Sequence, residues 1–458
     1  MRGETVSTGL RATLATFIVA LLMATIPAAS QVTSARPSRQ ATSIGAPARG
    51  TNIRPDGPAT GIPAAPPATS IRPADEDELL WNFGNGTDGS GPQGGLIVDA
   101  GGNIYGTTYS GGKYGGGTVF GLTYVDGVWQ EFILWSFGGT GDGIQPNGTL
   151  IFDSSGNLWG TTYGGGEYGL GTVFEVYYHE GVWYEVVQYS FQGNDKGKHD
   201  GRNPLGGLAV DSYGIFWGTT EFGGEYDEGT GFQFYYLGGK WNYAKLWDLG
   251  CEGMGCIGDE AENPTGELLI QETEDDEYFY GTSLNGGEED AGAVFSLLQD
   301  DINGDFYDVT LLSFRTDEGP PVGGVIMVED HLYGMTERGG THDSGIVYDL
   351  SRLGHGRVLH NFGRKYDGIN PLGRLFYFGD GFLYGTTSGG GQYGFGTVFQ
   401  LSLGGGADTV LYSFQGPDDD GSSPSGSVTF CTDAGLLCGT TSGGGKYNGG
   451  TVFALYTF

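Results

Sequence analysis

The sequence predicts an all-β fold, a seven-bladed β-propeller of four-stranded antiparallel blades closed by its N-terminal strand. Three observations carry this reading: a motif that recurs seven times, four short β-type runs within each recurrence, and chain ends that complement one another. The motif is clearest as Tyr105-Gly106-Thr107-Thr108, Trp159-Gly160-Thr161-Thr162, Trp217-Gly218-Thr219-Thr220, Tyr384-Gly385-Thr386-Thr387 and Cys438-Gly439-Thr440-Thr441, with weaker copies at Tyr280-Gly281 and Tyr333-Gly334. A Gly-rich loop follows each, then a short apolar run such as Gly117-Thr118-Val119-Phe120 or Gly171-Thr172-Val173-Phe174. The motif glycine stands at 106, 160, 218, 281, 334, 385 and 439, a spacing of 51 to 63 residues. That length suits one four-stranded sheet, whereas a β-helix repeats about every twenty residues.

Within the second unit the runs are Thr149–Phe152, Asn157–Thr162, Thr172–Tyr178 and Trp183–Phe191, each rich in β-branched or aromatic residues and bounded by Gly, Asp or Asn. The turns Asp153-Ser154-Ser155-Gly156 and His179-Glu180-Gly181 are short enough to make neighbouring runs antiparallel. The repeats open at Leu79-Leu80-Trp81-Asn82-Phe83, which matches fourth-run segments such as Leu134-Trp135-Ser136-Phe137 and Leu411-Tyr412-Ser413-Phe414, and the last unit stops after its third run. The opening run is therefore expected to supply the outer strand of the last blade and so remove an exposed edge.

Ahead of the repeats, residues 1–30 read as an export signal, with Arg2 and Arg11 before an apolar stretch from Ala12 to Ile26 and small residues Ala28, Ala29 and Ser30 at a cleavage site. Fifteen apolar residues fall short of the roughly twenty that span a bilayer, so a cleaved signal is expected rather than a retained anchor. Residues 31–77 are rich in Pro, Ala, Ser, Thr and Arg, with too few large apolar side chains to offset the entropy of ordering, and read as a disordered spacer. The propeller then occupies 78–458. A secreted or otherwise extracytoplasmic monomer, with no membrane span after signal cleavage, is the expected product.

Composition bounds the partners. The chain has 91 glycines, yet 13% of its residues are aromatic, which argues for a packed core full of turns and against collagen or disorder. A formal net charge of −34 argues against nucleic acid or anionic lipid, which are held largely by Lys and Arg on phosphates. An extracellular glycan or protein is the expected partner class.

The repeat resembles the GloVer-type (Gloeobacter and Verrucomicrobia) tandem-repeat family, in the Tyr-Gly-Thr-Thr, Gly-Gly and Gly-Thr-Val-Phe segments quoted above, from about Leu79 to Phe458. The resemblance implies a bacterial, exported and often surface-anchored protein. It implies no catalytic residue.

Strand alternation places the loops after the second and fourth strands on one rim. That rim carries tyrosines, in Gly111-Gly112-Lys113-Tyr114 and its relatives, and recurrent Asp-Gly pairs at Asp88, Asp142, Asp200, Asp367 and Asp420. Tyrosine offers flat apolar faces and aspartate accepts hydrogen bonds, which suits a sugar or peptide. Features shared by every unit answer first to folding, through turns and inter-blade packing. Specificity is therefore sought where units depart from the rule. The fourth and fifth units put Glu289 and His342 where the others have Tyr114, Tyr168, Tyr226, Tyr393 and Tyr447, beside Glu288, Asp290, Glu337, Arg338 and Asp343. These seven residues are the candidate ligand site.

No nucleophile elbow, zinc-protease helix or phosphate loop is present. Paired carboxylates are abundant enough to keep glycoside hydrolysis as the alternative to a non-catalytic binding scaffold. No cofactor is expected. Asp301-Ile302-Asn303-Gly304-Asp305 resembles a calcium loop, although Phe306 stands where an EF-hand requires Gly. The four cysteines fall as Cys251 with Cys256 and Cys431 with Cys438. An exported chain favours two local disulfides, while the spacing alone leaves three pairings open.

Overall fold

The computed structural model describes residues 78–456 apart from 195–196, 198, 251–259, 274–276, 300–305, 353, 418–419 and 433–434. Residues 1–77, where an export signal and a spacer are expected, and Cys251, Cys256 and Asp301–Asp305 lie outside the described residues. The rest forms seven antiparallel blades, numbered here in chain order. In blade 2 the strands are Gly143–Pro146 continued by Ile151–Phe152, then Leu158–Gly165, Thr172–His179 and Val182–Ser190, hydrogen-bonded in that order. The first strand is thus broken in two, a division the run pattern did not reveal.

The break explains itself at the axis. A Pro-x-Gly segment stands at this place in every blade, breaking the first strand in most and only shifting its register in blade 5, and its glycines pack backbone to backbone around a closed circle. A Cβ on Gly148 would lie 2.4 Å from the Gly207 amide, one on Gly206 2.6 Å from the Gly266 carbonyl, and one on Gly426 2.5 Å from the Gly94 carbonyl. No side chain fits there, so the innermost turn of the ring is bare backbone.

Each residue of the repeated motif has a distinct task. The glycine of the second strand faces the phenylalanine of the third: Gly160 pairs with Phe174, whose ring would lie 2.7 Å from a Cβ at 160. That phenylalanine then meets a fourth-strand phenylalanine of the preceding blade edge to face, as in Phe137–Phe174, Phe191–Phe232, Phe362–Phe399 and Phe414–Phe453, with centroids 4.9 to 5.3 Å apart. The last threonine pairs hydroxyl to hydroxyl with the threonine of the third strand, as in Thr162 and Thr172 at 2.7 Å, which satisfies two buried polar groups at once. The threonine before it reaches the next blade, Thr161 donating to the Gly206 carbonyl at 2.9 Å. The leading aromatic donates to an aspartate in the first turn: Tyr105 to Asp99, Trp159 to Asp153, Trp217 to Asp211 and Tyr384 to Asp380.

In blade 7 both members of that last pair are cysteines. Cys431 stands at the Asp99 position and Cys438 at the Tyr105 position, and the two form a disulfide. A covalent link therefore replaces the hydrogen bond used elsewhere. Cys431→Ala/Cys438→Ala is expected to cost about 2.5 kcal/mol through lost loop closure. Cys431→Asp/Cys438→Tyr is expected to recover more than half of that loss, because it installs the pair the other blades use. Denaturant titration of the three proteins distinguishes these outcomes.

The ring is closed by Glu78–Asn82, which pairs antiparallel with the last strand, Thr451–Tyr456, through Leu79↔Phe453 and Asn82↔Thr451. Among the described residues the buried apolar side chains fall into seven clusters, and each spans two adjacent blades rather than filling one. One joins Leu80, Phe83 and Val452 of blade 7 to Leu96, Ile104 and Phe120 of blade 1. Seven junctions for seven blades means that the sheet faces bury one another around a full circle.

Candidate ligand-binding rim

The loop after each second strand is a rigid glycine turn. In blade 1 the Gly112 amide donates to the Asp88 carbonyl at 2.8 Å and the Gly117 amide to the Gly111 carbonyl at 3.1 Å, and the same two bonds recur in blades 2, 6 and 7. Gly111 has φ +80°, and a Cβ there would strike the Asp88 carbonyl at 2.6 Å. These bonds place the two sets of loops side by side on one rim, as strand alternation requires.

The recurrent aspartates of that rim serve the fold. Asp142 accepts from the Trp135 indole at 3.1 Å and the Gly143 amide at 2.7 Å. Asp200 accepts from Tyr189 at 2.8 Å and Tyr243 at 2.7 Å, and Asp420 from Tyr412 at 3.1 Å. A second acid on the next blade's fourth strand often faces this aspartate. Glu131 shares a hydrogen bond with Asp88, and burial followed by that neighbour pushes its carboxyl up to about 9; Glu185, buried near Asp142, is pushed up to about 8. These are proton-holding blade junctions, not groups offered to solvent.

The tyrosines behave differently. Tyr114, Tyr168, Tyr393 and Tyr447 are 54%, 48%, 48% and 42% exposed, and Tyr226 is half-buried. The blade-junction clusters do not include them, so the expectation that repeated aromatics answer first to the fold holds for the strand series such as Tyr105 and Phe174 but not for these loop tyrosines. Because blade 7 adjoins blade 1, they form a continuous arc over blades 6, 7, 1, 2 and 3. Tyr366, 58% exposed, extends it at the entrance to blade 6. Lys113, Lys365 and Lys446 each lie over the neighbouring tyrosine ring at 4.6 to 5.3 Å, which steadies its orientation. Polar groups interleave with the arc between blades 2 and 3. Arg202 pairs with Asp227 at 2.8 Å, and Tyr163 bonds Glu221; burial, and then the charge of Glu221, raises the phenol to about 12.

The arc is interrupted at blades 4 and 5, where the polar candidates sit. Glu288, Glu289, Arg338 and His342 are exposed and Glu337 is half-buried. Glu289 accepts from the Thr316 amide at 3.2 Å and lies 3.9 Å from Arg315, while Glu337 and Arg338 are 4.0 Å apart. Asp290 and Asp343 have left-handed backbones and hold their own turns, accepting from the Gly286 amide at 3.0 Å and the Gly339 amide at 3.1 Å. They match Asp227 of blade 3, which accepts from Gly223, so their part is local. The Arg315–Gly319 loop stands between the two blades' polar groups. It bonds Glu289 on one side and accepts from the Gly340 amide and Thr336 hydroxyl on the other.

Sequence reasoning missed a charged pair at the axis. The residue after each ring glycine is Gly95, Thr149, Gly207, Glu267, Gly324, Arg374 or Ser427. Glu267 of blade 4 pairs with Arg374 of blade 6 at 3.3 Å and accepts from the Thr149 amide of blade 2 at 3.2 Å. Only side chains crossing the central space can join blades that are not neighbours. The signal was the same break in repeat identity used on the rim, at a position whose place in the ring no spacing reveals. Among the described residues, one group of metal-ligating side chains converges, His360, Asp367 and Asp408.

The chain matches the Gloeobacter/Verrucomicrobia repeat over residues 69–256 and again over 264–457. It belongs to that family. No curated protein matches this Gloeobacter/Verrucomicrobia repeat chain. Solved structures resemble it in fold. The extracellular domain of a protein described as a one-component system from B. thetaiotaomicron has a TM-score of 0.51 at 10% identity, over 82% of this chain and 40% of that one. The family member therefore spans less than half of the length of that extracellular domain. The α-L-arabinanase of Penicillium chrysogenum, solved with arabinobiose, gives 0.41 at 13% identity over 67% and 92% of the two chains, and a gluconolactonase of Xanthomonas campestris gives 0.38 at 12% over 82% and 88%. Identities this low show the propeller alone.

Proposed function

We propose that this protein is an exported, non-catalytic scaffold whose tyrosine rim holds a neutral extracellular glycan. The observation that carries the reading is the arc of tyrosines on rigid glycine turns, exposed in four adjacent blades and half-buried in a fifth, although they stand outside the blade-junction clusters. Each ring presents a flat apolar face to the C–H face of a sugar, and Arg202, Asp227 and Glu221 supply directional hydrogen bonds beside it. The net charge of −34 sets the ligand class, since an acidic polysaccharide would be repelled. The Cys431–Cys438 disulfide supports a non-reducing compartment, in keeping with the signal-like residues 1–30.

A glycan array combined with an assay for released reducing ends tests the proposal. Retention without turnover is expected. Tyr114→Ala, Tyr168→Ala and Tyr447→Ala should each weaken capture by about tenfold, roughly 1.4 kcal/mol, with stability changed by less than about 0.5 kcal/mol because the rings are exposed. Glu289→Tyr/His342→Tyr carries the tyrosines onto blades 4 and 5 and should leave capture of the same ligand at least as tight while the fold persists. Reducing ends appearing with time, or capture indifferent to all three tyrosines, would refute the scaffold.

A further inference from the structure

We propose that His360, Asp367 and Asp408 bind one divalent cation of the zinc type at the junction of blades 5 and 6. The three come from different elements: His360 from the fourth strand of blade 5, Asp367 from the loop that follows it, and Asp408 from the turn before the fourth strand of blade 6. His360 Nε2 lies 3.2 Å from Asp367 Oδ2 and 3.6 Å from Asp408 Oδ1. A zinc ion with Zn–N and Zn–O bonds of about 2.0–2.2 Å holds tetrahedral ligand atoms about 3.3–3.5 Å apart, which the two histidine distances match, and the three ligand atoms all lie within 4.8 Å of one another.

Three further features favour a cation over a plain ion pair. First, His360 Nδ1 lies 3.0 Å from the Gly406 carbonyl. A carbonyl only accepts, so Nδ1 carries the proton and, in the neutral ring, Nε2 presents its lone pair to the two carboxylates. A backbone acceptor behind the imidazole is the usual support of a metal-bound histidine. The turn that brings this carbonyl is built for the purpose, with Gly405 and Gly406 at φ +78° and +121° and the Gly406 amide bonded to the Leu359 carbonyl at 3.1 Å.

Second, Asp408 Oδ2 is buried without a hydrogen-bond partner, on a side chain only 10% exposed, and the other two side chains are 3% and 5% exposed. A buried, unsatisfied carboxylate oxygen is costly. Third, a dication balances the charge without either acid having to hold a proton. An imidazolium between two carboxylates leaves one buried negative charge, whereas a dication with a neutral imidazole and two carboxylates leaves none.

The repeat also singles out this junction. At the position of His360 the other blades have Trp81, Trp135, Tyr189, Trp247, Leu312 and Tyr412. Indoles and phenols there donate to the aspartate, as Trp135 and Tyr189 do, and cannot ligate a metal as neutral donors, whereas His360, the sole imidazole of the series, can, and it faces both acids of its junction.

The test uses the full-length protein stripped with a chelator and titrated with Zn²⁺ by calorimetry and by native mass spectrometry. One Zn²⁺ per chain, with a dissociation constant below about 10 μM and a raised thermal midpoint, is expected. Asp408→Asn keeps the shape of the side chain, and His360→Tyr installs the residue found at 189 and 412. Each should weaken zinc binding at least a hundredfold while circular dichroism stays that of the wild type. No uptake by the wild-type chain overturns the proposal, as does uptake that survives unchanged in Asp408→Asn.

Discussion

Deleting residues 78–83 is expected to cost more than about 5 kcal/mol, enough to remove most of the stability of an ordinary domain. The segment is short, but it closes the circle. Leu80 and Phe83 are buried in the cluster that joins blades 7 and 1, and burying each contributes about 1.5–3 kcal/mol. The Phe83 amide donates to the Gly450 carbonyl at 2.9 Å, Trp81 donates to Asp88 at 3.3 Å, and Asn82 accepts from the Lys446 amide at 2.9 Å. Without the segment, Thr451–Tyr456 becomes an unpaired edge next to an uncovered apolar face, a template for pairing with another chain. The deleted protein should unfold over a broad range, form dimers in sedimentation experiments, and regain a sharp transition when a peptide of residues 78–83 is added. An internal control separates closure from local packing. Phe137→Ala removes the matching Phe137–Phe174 contact at 4.9 Å inside an unbroken junction and should cost about 3–5 kcal/mol without dimerisation. A deletion that left the midpoint and the monomer unchanged would mean that the ring does not depend on its clasp.

The circle was legible in the sequence because it is made of repeated, cooperative demands. Gly106 and Phe120 recur together since one must be absent for the other's ring to lie flat, and Thr108 and Thr118 recur together since each hydroxyl satisfies the other at 2.8 Å. A pairing rule of this kind leaves its trace wherever it is kept, the glycine in all seven units and the threonine pair in five. The axis left no such trace. Glu267 and Arg374 are 107 residues apart, and their meeting depends on how far across the ring two side chains reach, which no local pattern encodes. His360 was hidden for a different reason, because it stands at a position where the repeat already tolerates Trp, Tyr and Leu, and the acid that meets it comes from the next blade. The rim was half legible. The loops share the face that alternation assigns to them, yet whether Tyr114 packs or projects depends on how tightly the glycine turn closes. The polar substitutions of blades 4 and 5 were visible at once, while the intervening Arg315–Gly319 loop, which engages Glu289, was not.

Between pH 6.5 and pH 9 the protein is expected to lose stability steadily, and Glu131→Gln/Glu185→Gln to remove most of that loss. The ordinary carboxylates are already ionised across this window, so the slope reports acids whose protons the fold retains. Glu131 and Glu185 are such acids: burial is the larger cause, the neighbouring Asp88 or Asp142 the smaller, and the carboxyls are pushed up to about 9 and about 8. The sign follows from proton counting. In the unfolded chain both groups have lost their protons by pH 6.5, whereas the folded protein still holds them, so it binds more protons than the unfolded chain and stability falls as pH rises. A fully protected acid would contribute about 1.4 kcal/mol per pH unit, and these two contribute less because both retain some contact with water. Glutamine fixes the neutral form at every pH, so the double variant should match the wild type near pH 5 and exceed it at pH 9. Denaturant titrations at pH 5, 7 and 9 give the slope directly. Parallel curves for the two proteins would show that the shared protons at the blade junctions have no part in holding the ring together, and that the junctions rest on their phenylalanines alone.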